Sequence, residues 1–348
     1  MSAAASAVKA PPAAALLRPR ARWGALLAGI LLLAGVGLLS VFIGSGEISA
    51  RTVWQALLAP AGTIDDATIR DVRVPRTVLG VVVGAALGLA GALAQAITRN
   101  PLADPGILGV NAGAGLAIAL AVAFLHLTTI DGYLWFGLLG ALATAVLVHA
   151  VAARSPSGPT PLRLTMVGVA IGAVFLGMSR TLALLHPRTF EQMRYWGAGS
   201  LADRPAGTLR AVLPFVVAGA VIALVSGRAL NALAMGEEVA RSLGVRIVLV
   251  RTLSISAITL LCGAATAAVG PISFVGLMIP HAVRFLTGPD QRWLLALSLV
   301  LAPVLLVSAD LLGRIVVRPA ELQAGVMTAF LGAPVLIHLV RRSRRGAL

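Results

Sequence analysis

The sequence predicts an all-α, polytopic membrane protein of about ten transmembrane helices. Three observations predict it. Of 348 residues, 58% are hydrophobic and only 12% are charged, roughly half the charged share of an ordinary soluble domain. The apolar residues fall into long runs of membrane-crossing length, and the basic residues stand at the ends of those runs. A soluble globule with so few charges could not cover its own surface.

A bilayer core of about 30 Å takes roughly 20 apolar residues as a helix. On that measure the spans run 24–43, 77–97, 107–127, 132–153, 164–185, 211–227, 252–269, 271–287, 293–312 and 322–340. The first is longer than a signal-peptide core and has no convincing small-residue cleavage site, so it is read as a retained span. The seventh and eighth come from one uncharged run, Thr252 to Val283. The break belongs at Gly270-Pro271, where proline lacks the amide donor and clashes with the preceding turn. Residues 1–23 and 342–348 are then tails, and 24–341 form one membrane domain with a polar interruption at 231–246.

Ten spans put both termini on one side. Taking that side as the cytoplasm, inner segments carry 17 basic residues against 11 outside, the asymmetry of the positive-inside rule. Arg341-Arg342-Ser343-Arg344-Arg345 is its strongest anchor. Both termini are expected inside.

Several function classes drop out. The single lysine, Lys9, lies in an Ala/Pro-rich tail, and a phosphate-binding P-loop needs a lysine behind its glycine turn. If ATP drives this protein, another chain hydrolyses it. The net charge of +15 follows membrane topology rather than a basic face with interleaved aromatics, so nucleic acid is no partner. Cys262 is alone and forms no intrachain disulfide. His126, His149, His186, His281 and His338 share no ligand spacing, so no metal site is expected. No paired carboxylates or nucleophile–base set suggests an enzyme. Asp310 is the one candidate carboxylate within a span, which weighs against an ion-coupled carrier without excluding it.

Glycines at helical spacing, Gly80, Gly84 and Gly88 and then Gly109, Gly113 and Gly115, allow close helix packing where lipid supplies no hydrophobic drive. Segment 229–246 is a polar interruption in which Gly236 and Gly244 bracket a short helical stretch. Glu237 and Glu238 stand in its first turn, where the helix dipole favours acids. Val239 and Leu243 form an apolar stripe on a piece too short to be stable alone. Arg73, Arg76 and Arg314 stand at outer span ends, suited to pairing with carboxylates, on a partner or internally with Asp71 or Asp310.

Four stretches carry more than hydropathy. They are Arg73-Val74-Pro75-Arg76; Thr98-Arg99-Asn100-Pro101-Leu102-Ala103-Asp104-Pro105-Gly106-Ile107-Leu108-Gly109-Val110; Gly236-Glu237-Glu238-Val239-Ala240-Arg241-Ser242-Leu243-Gly244-Val245; and Gly270-Pro271-Ile272-Ser273-Phe274-Val275-Gly276-Leu277-Met278-Ile279-Pro280-His281. Together they resemble the FecCD-type permeases of ABC importers for ferric siderophores, haem and cobalamin, in wording most like the ferric enterobactin branch.

The resemblance implies the BtuC-like fold of type II ABC importers, with an inverted repeat. It implies a bacterial inner-membrane permease for an iron–siderophore complex, with haem or cobalamin as the alternative cargo. The implied partners are a second permease subunit, more readily a paralogue than an identical copy, two ATP-binding subunits, and a periplasmic or lipid-anchored substrate-binding protein. ATP and magnesium belong to the ATPase, and this chain is expected to bind no cofactor. Gly236, Glu237, Glu238, Ala240, Arg241, Leu243 and Gly244 would form the ATPase-coupling helix. Arg73, Arg76 and Arg314 would receive glutamates of the binding protein. The loop 154–163 with Thr160-Pro161 would be the cytoplasmic gate, and 186–210, with Trp196, Gly197, Gly199 and Ser200, a short outer helix. Trp196 also suits an interfacial belt.

Overall fold

In a computed structural model, residues 17–46, 48–127, 129–154 and 160–345 are described. Among them seven helices are long and apolar enough to cross a membrane, and three shorter apolar ones accompany them. They correspond one to one with the ten expected spans. These ten helices are α1 (Pro19–Phe42), α4 (Val74–Thr98), α5 (Val110–Leu125), α6 (Ile130–Ala153), α7 (Pro161–Leu185), α9 (Ala206–Ala234), α11 (Ile247–Val269), α12 (Val275–Thr287), α13 (Gln291–Val316) and α14 (Ala324–Arg345). Short helices α2 (Ala50–Leu58), α3 (Ile64–Ala67), α8 (Pro187–Gly197) and α10 (Glu237–Ser242) lie between them. A tighter turn covers Pro105–Leu108 and a wider one Thr68–Arg73.

Boundaries differ from the hydropathy limits for local reasons. α1 starts five residues before the expected span because Pro19 is pre-set for a first helical turn. The expected tail from 342 is helical as far as Arg345. Residues 1–16 and 346–348, which hold the remaining tail assignments, lie outside the described residues. The expected eighth span loses its first four residues. Gly270 (φ 84°) ends α11, and Phe274 (φ 71°) keeps 271–274 out of helical conformation.

α4 is the centre of the bundle, packed against α13, α11, α12 and α9. Its glycines explain how. A Cβ on Gly84 would run into the backbone of Pro303, one on Gly88 into the Ser298 carbonyl, and one on Gly91 into the carbonyl of Gly276. Backbone-to-backbone contact replaces the hydrophobic drive that lipid removes. α1 and α7 sit at the periphery, with only 17% of each apolar window buried against 78% for the helix containing α4.

The two ends of the bundle differ. At one end Ser200 N–H donates to the Val269 carbonyl (2.8 Å) and Gly325 N–H to Gly199 (2.8 Å). These bonds knit the loops after α8 and α11 to the start of α14. At the other end lie the α4–α5 loop, α10 and the start of α13.

Candidate functional site

Residues 236–244 form the compact unit expected from their spacing. Gly236 (φ 121°) and Gly244 (φ 77°) bracket α10. Neither has anything within 4 Å of a would-be Cβ, so backbone conformation rather than space calls for glycine. Ala240 is fully buried in a small cluster with Ala232, Leu233 and Ile247. This pins α10 to the ends of α9 and α11. Glu237 accepts from Arg251 Nη2 at 2.7 Å and lies 3.5 Å from Arg241. Opposite, Val239 and Leu243 are 43% and 60% exposed, and Glu238 and Arg241 are exposed beside them. An apolar pair ringed by both charge signs, on a helix fixed from behind, is a presentation surface.

Sequence reasoning missed three supports of this unit. Arg251 comes from α11. Arg99 Nη2 reaches from the α4–α5 loop to the Leu233 carbonyl at 2.8 Å. Asn231 at the end of α9 donates to Asp290 Oδ1 (2.9 Å) and accepts from Gln291 N–H (2.7 Å). Arg99 stood in a quoted motif, but its partner lies 134 residues away and leaves no local trace.

At the opposite end the arginines turn inward. The last carbonyls of a helix lack intrahelical partners. Arg73 supplies them for α1, donating to Val41 (3.2 Å), Phe42 (3.0 Å) and the following Gly46 (3.2 Å). Arg314 donates to the Ser40 carbonyl at 2.8 Å and pairs with Asp310 one turn back. Arg76 bridges Asp310 (2.7 Å) and Glu321 (2.7 Å). Arg73 and Arg314 are 5% and 1% exposed, so in this conformation neither offers a guanidinium to a second protein. Of the two internal partners the sequence left open, Asp310 takes the role, while Asp71 is exposed. Favourable cation–carbonyl contacts at a helix C-terminus explain the inward choice.

Arg76 alone of the three lines a cavity of about 620 Å³ at this end, with Tyr133, Gln192, Trp196, Arg204 and Glu321. Gln192 Nε2 donates to Tyr133 Oη at 3.2 Å, and Arg204 Nε donates to the Ser200 carbonyl at 2.9 Å. Trp196 is 4% exposed and packs toward Gly115, which removes the interfacial-belt alternative.

Thr160 is the N-cap of α7, its hydroxyl accepting from Arg163 N–H at 3.4 Å, and Pro161 is the first helical residue. Residues 155–159 of the expected gate loop lie outside the described residues. In the α4–α5 loop, Asp104 Oδ1 accepts from Gly106 N–H at 2.8 Å. Beyond it, Asn111 Oδ1 accepts from Thr266 (2.8 Å) and from the thiol of Cys262 (3.2 Å). Four separated motifs of the sequence thus act as the joints of one bundle.

Known proteins resemble this chain in sequence and fold. The sequence pattern of the FecCD transport family matches residues 31–342. The ferric enterobactin transport system permease protein FepD of Escherichia coli is 46% identical over 318 residues, 91% of this chain and 95% of its own. The probable siderophore transport system permease protein YfiZ of Bacillus subtilis is 40% identical, over 93% of this chain and 97% of its own. A solved chain described as an ABC transporter of metal-chelate type, in an inward-facing conformation, superimposes with a TM-score of 0.80 at 27% identity, covering 92% of this chain and 99% of that one. Sequence and overall fold agree: this chain is a multi-pass membrane protein and belongs to the FecCD transport family.

Proposed function

We propose that this chain is the membrane-spanning permease of an ATP-driven importer for an iron–siderophore complex. The single observation that carries the mechanism is α10, a short helix fixed from behind by Ala240, Glu237–Arg251 and Arg99 while Val239 and Leu243 face outward. A separate ATPase seats on that apolar pair, and its movement passes through the buried side of α10 into α9, α11 and the α4–α5 loop. This puts the α10 end in the cytoplasm, with both termini inside and the 620 Å³ cavity facing outward in the bacterial inner membrane.

The similarity to FepD and YfiZ supports ferric siderophore as the cargo class. Siderophores chelate iron themselves, so the permease needs to supply shape and passage rather than metal ligands. The binding protein meets the cavity end. Of the three arginines, Arg76, with its partner Glu321, carries that contact, while Arg73 and Arg314 hold the end of α1 in register beneath it. A second permease subunit covers the peripheral face of α7 and the groove where Phe330, 70% exposed, stands on α14. Thr160-Pro161, which start α7 beside that face, form the inner gate.

Reconstitution tests the reading. Vesicles holding this chain with its partner permease and ATPase should take up radiolabelled ferric siderophore only with binding protein outside and ATP inside, and vanadate should stop it. Uptake by this chain alone, abolished by an ionophore, would replace the importer with an ion-coupled carrier.

A further inference from the structure

A surface on residues 50–64 plays no part in the proposed import cycle. α2 turns one face inward, where Val53 and Ala56 pack on Val41 and Ile69. Its other face is not polar. Trp54 is 51% exposed, Leu58 78%, and Ile64, which opens α3, 87%. Burying large apolar side chains is favourable, so three of them left in water would be a standing cost. At nine residues α2 is about 14 Å long and cannot cross a bilayer core of about 30 Å.

We propose that Trp54, Leu58 and Ile64 lie in the headgroup–acyl boundary of the bilayer, making α2 and the start of α3 an interfacial anchor at the cavity end. Continuity with the lipid-facing surface argues for lipid as the occupant. The Trp54 ring stands edge-on to Phe42, the last residue of α1, with centroids 5.4 Å apart. Phe42 follows Leu31, Leu38 and Leu39, which are 64%, 55% and 50% exposed on the peripheral helix α1. Trp54 therefore prolongs the ridge that α1 presents to the acyl chains.

Composition agrees. Tryptophan concentrates at the membrane interface, where its ring is apolar and its N–H finds headgroups. Exposed Arg51 and Gln55 lie on the same helix for headgroup contact. Position agrees too. α2 packs on α1, α3 and the turn 68–73, whereas α8, at the cavity, packs on α5 and α7. The anchor thus sits at the rim of the subunit and fixes the depth of the loop from which Arg73 reaches the end of α1.

Site-directed spin labelling tests this in the assembled transporter, in vesicles of phosphatidylethanolamine and phosphatidylglycerol. Cys262 is the sole cysteine and is buried, so an exposed cysteine introduced elsewhere labels selectively. Nitroxides at W54C, L58C and I64C should collide with oxygen several-fold more often, relative to a water-soluble nickel chelate, than one at D65C. Equal nickel access at all four positions overturns the proposal. So does a face open to nickel in vesicles and shielded only when the soluble binding protein is added, because the occupant is then a protein.

Discussion

Glu237, in the first turn of α10, accepts a 2.7 Å hydrogen bond from Arg251 on α11 while lying 3.5 Å from Arg241 on its own helix. One carboxylate therefore ties the exposed helix to the bundle. Both side chains are partly exposed, so the pair contributes only about 0–1 kcal/mol. Its value is positional. E237R sets a third cation beside two arginines, and the expected outcome is a correctly inserted protein with a melting temperature within a few degrees of the parent. Siderophore uptake should fall at least about tenfold, the loss expected for about 1.4 kcal/mol of lost coupling. R251E combined with E237R restores the attraction and should recover part of the uptake. Uptake at the parental rate in E237R, with ATPase co-purifying normally, rules out the coupling role.

Asp310 is the opposite case, a carboxylate enclosed between two arginines. Its side chain is 2% exposed, Arg314's is 1% and Arg76's is 10%. Removing the shared partner leaves two enclosed cations facing each other, Arg76 keeping Glu321 and Arg314 keeping no carboxylate partner among the described residues, and breaking a buried ion pair from one side costs about 3–5 kcal/mol. D310A should lose folded yield, or melt far below the parent in detergent. D310A/R314M removes one of the stranded charges and should regain part of the loss. A double variant no more stable than D310A would show that the Ser40 carbonyl contact, rather than charge balance, is the main support.

How much of this was legible from sequence depends on the range of the forces involved. Ten spans, the break at Gly270-Pro271 and the bracketed helix at 236–244 follow from hydropathy and backbone preference, which act over a few residues. The direction of Arg73 and Arg314 does not. An arginine at a span end has the same sequence signature whether it faces water or caps a neighbouring helix. What decides is the end of α1, some 32 and 274 residues away in the chain. α2 and α3 escaped detection because they are short, carry mixed polarity, and stand beside runs that dominate any hydropathy window. Arg99 was visible as a motif residue, but its role depends on a carbonyl on α9.

Helix packing gives a paired test at glycines. A Cβ on Gly91 would strike the Gly276 carbonyl, whereas nothing lies within 4 Å of one on Gly177. G91A must part α4 from α12, and such overpacking typically costs about 1–3 kcal/mol. In the isolated subunit G177A meets open space on peripheral α7 and should be neutral or slightly stabilising, since alanine is the better helix former. Thermal unfolding in detergent separates the two. Equal melting temperatures for G91A and G177A would mean that the α4–α12 approach is looser than the bundle requires.

The last test concerns the α4–α5 loop, where Asp104 accepts from Gly106 N–H at 2.8 Å. Burial pushes the Asp104 carboxyl above its ordinary 3.8, and the Gly106 amide acts in the opposite direction as the smaller influence. An acid whose pKa is raised by folding binds more protons folded than unfolded, so its contribution to stability falls as pH rises from about 3.8 through the folded value. D104N keeps an oxygen to receive the Gly106 N–H but cannot ionise. The variant should melt above the parent near pH 7, and the gap should shrink as pH falls through the raised folded value, where the parent carboxyl takes up its proton. Melting curves of both proteins in one detergent across that range decide it. A gap that stays constant with pH would mean that the charge at Asp104 is compensated, and a parent that gains on the variant as pH rises would reverse the sign.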